Sequence, residues 1–439
     1  MNSSEIDKEE RDPSEPRPPS KNYTGFDVTR TYWFDKGKLR KNRELYEPTS
    51  RQWLYFKADG KKAVNEFVNF DGRTLRYNDD GHMAKGENTI DGQEYFFDLR
   101  DGNMKRNIDV YVGSRGGRWV RYDRDGHMVK NREDYFNRGW YHFDRFGTMS
   151  KGVTRVSSNG GKWVYYDLIT GRMQYGERYL NYDREHTGWY LFDGVTGAMK
   201  YGFQHIPKYN KRVYYHEIDG KMRYGEQYIH GKWYYMDKVT GAMARGFVNL
   251  PGKRVYYNPK NYQMVYGGAV INDRPYFFDR VTGRQHGRTE IVNKLVSRAR
   301  SLIRKHPDCP GALAINGGIL CPMGPCMSFV WYVFHMEGYD VFLANGGAKN
   351  GKQSGWPQDN YDWYARRGRI GTSPKVGDIV FFKFNNPAAS WARNANHAGF
   401  IVSVSPGRVT MIDAAEGGIL ERNVNHWGGT IRYATPYYG

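Results

Sequence analysis

Cysteine is scarce in this chain: three residues in 439, at positions 309, 321 and 326, all in one short window. Their spacing does not fit a four-ligand zinc site. One disulfide between Cys309 and Cys321, leaving Cys326 free, and three reduced thiols are both compatible with it. No apolar run approaches the roughly twenty residues that a membrane-spanning helix needs. The first 22 residues lack the apolar core of a secretory signal. Export is therefore expected by another route, by cell lysis or by assembly into a particle, unless the native precursor begins elsewhere. Acidic residues are outnumbered, 47 against 66 basic ones, and no RNA- or DNA-binding signature accompanies the excess.

What is abundant is charge of one sign, aromatics and glycine. The formal charge is +19, aromatics make up 16% of the chain, and there are 36 Tyr and 52 Gly. The charge points to a polyanionic partner. Without a nucleic-acid motif, the expected partner is an anionic cell wall, its peptidoglycan with wall polysaccharide or teichoic acid, with no nucleic acid and no membrane insertion. The length allows several domains.

Residues 1–22, charged and Pro-rich, read as a disordered tail. From there to about 287 the sequence repeats itself. Gly188-Trp-Tyr-Leu-Phe-Asp-Gly-Val-Thr-Gly-Ala-Met-Lys-Tyr-Gly202 aligns in register with Lys162 to Gly176 and with Lys232 to Gly246. Weaker copies bring the total to roughly twelve units of about 20–26 residues, the period of a solenoid. Each unit reads as strand, turn, strand. The aromatic run Trp189–Phe192 is the first strand, Asp193 to Gly197 the turn, and Ala198-Met199-Lys200 the start of the return strand. A lone hairpin cannot bury its own face, so the units must stack. Most rings then fill the core. Others stay free as stacking platforms, the candidates being Trp163, Tyr165, Trp189, Tyr190, Trp233 and Tyr234.

Residues 288–439 change character. Thr289 to His306 carries an apolar stripe of Ile291, Leu295, Ala299 and Leu302 and reads as a helix packed on the next core. Gly324-Pro-Cys-Met-Ser-Phe-Val-Trp-Tyr-Val-Phe334 reads as a buried helix with Cys326 in its first turn. There the free backbone N–H groups and the dipole favour a thiolate. Trp356 to Arg367 reads as a short helix, and Trp356, Trp363 and Trp391 are expected to pack in the core, with the lining of a substrate groove as the alternative. Strands follow at Lys375–Phe384, Asn396–Val404 and Arg408–Asp413, the last two antiparallel, which makes an α+β pattern. Thiol catalysis needs a base beside the sulfur and a third group to orient that base. His397 and Asp413, on adjacent antiparallel strands, can meet on one face, with Glu416 as the alternative to Asp413.

Two resemblances follow from these motifs. The array is similar to the cell-wall-binding repeats of choline-binding and glucan-binding surface proteins. It departs from the choline-binding form where that family has Trp after the closing Gly: here stand Glu177, Phe203, Glu226 and Phe247. The C-terminal part resembles the NlpC-type cell-wall endopeptidases, with CHAP-type amidases as the close alternative. The matching pieces are the Cys326 helix, Val376-Gly-Asp-Ile-Val-Phe-Phe382, His397-Ala-Gly-Phe-Ile401 and Met411-Ile-Asp-Ala414. It departs in Pro325 and Met327 on either side of the Cys. The resemblance implies a papain-like cysteine peptidase domain with Cys326 as nucleophile, His397 as base and Asp413 as third member, and no cofactor or metal. Together the two imply a modular peptidoglycan hydrolase, a β-hairpin solenoid plus an α+β catalytic domain. It would cut stem peptides at γ-D-glutamyl-type bonds and resemble a phage lysin; the alternatives are a CHAP-type amidase and a non-catalytic wall-binding adhesin whose peptidase domain has degenerated.

Overall fold

The computed structural model describes residues 15–304, 314–315, 318–319, 325–343, 355–385, 387, 390–415 and 418–438. The chain forms two compact units. The first runs to Gly202 and takes in Tyr215–Met222; the second holds Phe203–Tyr214 and everything from Arg223 onward.

Between Arg43 and Phe278 the chain makes eleven two-stranded antiparallel hairpins of five-residue strands, preceded by a three-stranded sheet of Gly25–Phe26, Trp33–Asp35 and Lys38–Leu39. The hairpins differ from the sequence expectation in which strand pairs with which. Gly188–Phe192 pairs backward with Gly176–Leu180, Gly176 opposite Phe192. Met199 makes only an isolated bridge to Phe192. The tight turns that close several hairpins have two residues of positive φ, as at Asp71-Gly72, Asp91-Gly92 and His230-Gly231. Such turns match the twist of an antiparallel pair. The longer Asp193–Gly197 segment is a crossover instead. The Asp193 carboxylate caps it, accepting from the Val195 and Thr196 amides at 3.0 and 2.9 Å and from the Thr196 hydroxyl at 3.0 Å. The Met199 amide then bonds the Trp163 carbonyl of the preceding hairpin at 2.8 Å. The Met173 amide bonds that of Trp140 in the same way. The repeat is thus stitched by backbone as well as by rings.

Alternation decides which rings are buried. Along Gly188–Phe192 the side chains of Tyr190 and Phe192 face inward, each 1% exposed, while Trp189 is 39% exposed.

The second unit ends in an α+β domain. Helix α1 (Arg288–Ser301) buries Ile291, Leu295 and Ala299, the expected stripe, but stops at Ser301, well before the prolines. Helix α2 (Pro325–Met336) is apolar on nearly every side because it lies at the centre of the core, with Phe329, Val330, Trp331 and Phe334 fully buried. Helix α3 (Pro357–Ala365) follows. A six-stranded antiparallel sheet orders its strands Ile370–Gly371, Thr430–Ala434, Ile379–Lys383, His397–Ser405, Arg408–Ala415 and Gly418–Asn423. The strands at Gly418 and Thr430 were not read from the sequence. The last hairpin shares this core: Phe277 packs edge-on against Tyr339 at 4.7 Å, and His286 Nδ1 lies 2.8 Å from the Tyr339 hydroxyl. Among the described residues no helix is long and apolar enough to cross a membrane.

Candidate active site

Helix α2 begins at Pro325, whose fixed φ and missing N–H suit a first helical position. Cys326 follows in the first turn, 4% exposed and free of any disulfide. His397 opens the central strand of the sheet, opposite Phe382 on one neighbour. On the other neighbour Phe400 lies opposite Ile412, so Asp413 is a step further along, diagonal to His397. The two side chains meet: His397 Nε2 is 2.6 Å from Asp413 Oδ2. Cys326 lies beside the imidazole, close enough for its sulfur to raise the His397 pKa. The structure therefore brings together Cys326, His397 and Asp413.

Gly399 makes this approach possible. A Cβ there would stand 3.2 Å from the Cβ of Asp413 and 3.1 Å from Met411 Sδ.

The site is buried, with His397 7% and Asp413 0% exposed. Burial alone pulls the imidazole pKa down. The charge on the Cys326 sulfur, the hydrogen bonds to Asp413 and Cys326, and the Asp413 charge outweigh it, and the pKa of His397 is raised to about 9. For Asp413, burial pushes the carboxyl up. The hydrogen bond and charge of His397, the Arg422 charge and the Trp427 hydrogen bond together hold it below the usual carboxylate range. A carboxylate, an imidazolium and a sulfur in a row can hold a thiolate ready and move a proton.

Three neighbours escaped the sequence reading. Arg422 donates to Asp413 Oδ1. Trp427 Nε1 donates to Oδ2 at 2.6 Å, and its ring lies 4.9 Å from the imidazole. Phe384 stacks on Trp427 at 5.7 Å and flanks His397 at 6.1 Å. The only signal for Arg422 was its place on a strand that could not be foreseen as Asp413's neighbour. Glu416, Cys309 and Cys321 lie outside the described residues, and with them the alternative third member and the disulfide.

The aromatic candidates divide. Trp163, Trp189 and Trp233 are exposed at 44%, 39% and 38%, each on its own hairpin. Tyr165 is half-buried against Phe192 and Tyr182. Tyr190 and Tyr234 are core residues, since they sit on the inward side of the alternation, and as such present no free face. Two exposed partners were missed: Tyr179 beside Trp189 at 5.6 Å and Tyr228 beside Trp233 at 5.3 Å. Trp363 belongs to the core as expected, whereas Trp391 is half-exposed, edge-on to Trp356 at 5.0 Å.

Residues 317–415 match the CHAP domain family. This is the second of the two catalytic resemblances drawn from the sequence. No curated protein matches the chain. Among solved structures, CbpJ from Streptococcus pneumoniae is 20% identical with a TM-score of 0.42, covering 56% of this chain and 94% of its own. Choline binding protein F from the same organism is 22% identical with a TM-score of 0.41, covering 56% and 92%. Its modular autolysin LytC is 18% identical with a TM-score of 0.31, covering 58% and 51%.

Proposed function

We propose that this chain is a peptidoglycan hydrolase that cuts an amide bond with Cys326 as nucleophile and holds the wall through its hairpin array. The observation that carries the reading is the His397–Asp413 hydrogen bond with Cys326 beside the imidazole, in a region that matches the CHAP family. In this reading His397 holds the proton of the pair and the Cys326 sulfur is the nucleophile. It attacks the carbonyl carbon and a C–S bond forms. The backbone N–H of Cys326, at the open end of α2, is positioned to receive developing charge on the carbonyl oxygen. As the C–N bond breaks, His397 passes its proton to the leaving amine. Water then adds to the thioester with His397 as base, the acid leaves, and the proton returns to the Cys326–His397 pair. Asp413 holds the ring orientation and offsets its charge throughout.

The wall-binding half of the proposal rests on the exposed Trp163, Trp189 and Trp233 and on the charge of +19. Aromatic faces suit the apolar faces of sugars, and the basic surface suits an anionic glycopolymer. Tethering raises the effective substrate concentration at the thiol.

The test is turbidity loss of purified Gram-positive walls by wild type and by Cys326→Ala, with sedimentation of both proteins on the same walls. The expected result is lysis by wild type alone and co-sedimentation of both. Binding without lysis by either protein, under reducing conditions and across a panel of walls, would sink the hydrolase reading and leave a wall-binding protein.

A further inference from the structure

Asp413 carries more partners than orienting one histidine requires. Its buried carboxylate accepts on Oδ2 from His397 and from Trp427 Nε1, each at 2.6 Å, and on Oδ1 from Arg422. Arg422 is itself buried, its side chain 9% exposed, and its guanidinium lies 5.5 Å above the Trp427 ring. Trp427 in turn packs on His397 with one side of its indole region and on Phe384 with another. His426 meets the Trp427 ring edge-on at 4.9 Å. Among the described residues, the charged and titratable groups around the pair are Cys326 on α2, Asp413 on the next strand, Arg422 on the strand beyond it, and His426 one ring away.

We infer that Arg422 and Trp427 are positioning residues that lock the Asp413 carboxylate and limit how strongly it holds the proton on His397. This inference rests on the thiol-hydrolase reading given above. A carboxylate bonded to one histidine alone can rotate and can share itself fully with the imidazolium. Here the fork of Arg422 fixes Oδ1, and the indole N–H fixes the direction of Oδ2 toward the ring. The guanidinium also places a second positive charge near the imidazolium, so it lowers the proton affinity of His397 even as it keeps Asp413 ionised. A proton held less tightly is more readily given to a leaving amine.

The test is the pH dependence of Cys326 alkylation by iodoacetamide, run beside wall lysis, for wild type, Arg422→Gln, Arg422→Lys and Trp427→Phe. Alkylation needs no knowledge of the substrate. Arg422→Gln is expected to move the alkaline limb of alkylation upward, because it removes the positive charge paired with the Asp413 carboxylate. Its lysis rate should fall about tenfold or more, as misplaced catalytic geometry costs. Arg422→Lys restores the limb through its charge but only part of the rate. Trp427→Phe, which keeps the ring and loses the N–H, lowers the rate without unfolding. A fold intact by near-UV circular dichroism with limb and rate both unmoved in Arg422→Gln overturns the inference. If Arg422→Gln fails to fold, Arg422→Lys and Trp427→Phe with wild-type rates overturn it equally. A wild-type Cys326 that alkylates as an ordinary thiol, with a single rise at about pH 8.5, overturns the thiol-hydrolase reading instead.

Discussion

The Met173 thioether occupies the space that a Cβ on Gly197 would need, while Gly197 holds φ at +68°. The same pair recurs as Met149 with Gly171, Met199 with Gly220 and Met264 with Gly283. The Gly and Met of the repeat therefore belong to a contact between units, each Met closing over the crossover turn that follows. In a solenoid such nearest-neighbour contacts carry much of the stability. Gly197→Ala joins a strained backbone to a displaced thioether and should cost about 1–3 kcal/mol. Gly194→Ala, with open space around it and no positive φ, should stay within about 0.5 kcal/mol. Urea denaturation measures both, and equal midpoints for the two variants would remove the Met173 contact from the account.

Gly399→Ala tests the geometry between the two strands of the site. Its new Cβ would meet Asp413 Cβ and the Ile412 carbonyl at 3.2 Å, so one of the strands must shift by a few tenths of an ångström. Wall lysis should drop about tenfold or more, because small displacements of catalytic groups are amplified in rate. The melting temperature should fall far less in proportion, since the rest of the core is untouched. A rate within twofold of wild type would mean that Asp413 tolerates the shift.

His397 supplies a pH signature. Its pKa is raised from 6.5 to about 9, with burial opposing and the Cys326 charge as the largest raising cause. A group with a raised folded pKa contributes stability that is fully present below its unfolded value and is lost as pH rises through the folded one. Wild-type stability should therefore decline between about pH 6.5 and 9, with lysis falling on the alkaline side of about 9. Cys326→Ala removes the main raising charge, so its stability should be flatter over that window. Denaturation midpoints at intervals from pH 6 to 9.5 decide it; parallel curves for the two proteins would rule out Cys326 as the cause of the raised His397 pKa.

Much of the catalytic domain was legible in the sequence because its signals are local. Pro325 opens a helix and an apolar run follows, so Cys326 falls in the first turn. His397 and Asp413 sit on strands joined by the short Pro406-Gly407 turn, so their adjacency needed no long-range knowledge. Arg422 and Trp427 were not legible. They reach Asp413 from the following strand and the short helical turn after it, and nothing in Glu-Arg-Asn-Val-Asn-His-Trp says which way that segment folds back. In the hairpins the misreading had one cause. The Asp-x-x-Thr-Gly turn is the most regular feature of the repeat, and it was taken for the hairpin turn. The true closures are short and varied, Asp-Gly in one unit and Asn272-Asp273 in another, so they do not align. Had the aromatic strand been read at period two, Tyr190 and Tyr234 would have gone to the core and Trp189 and Trp233 to the surface.

That alternation gives the last prediction, in which binding and stability separate along one strand. Trp189 is 39% exposed and Tyr190 next to it 1% exposed. Trp189→Ala removes a ring that packs mainly on exposed Tyr179, so it should leave the denaturation midpoint nearly unchanged. Tyr190→Ala empties a site in the cluster with Leu180, Phe192 and Met199 and should cost about 3–5 kcal/mol, as for other large buried rings. If exposed rings hold the wall, Trp189→Ala and Trp163→Ala should weaken wall sedimentation, additively in the double variant, with fold intact. The charge of +19 acts on the same equilibrium through a screened interaction. Raising salt from about 0.05 to 0.5 M should therefore weaken wild type and the tryptophan variants by a similar factor. Loss of binding with salt but none with the tryptophan substitutions would leave charge alone as the anchor and return the exposed rings to the ordinary apolar surface of a hairpin array.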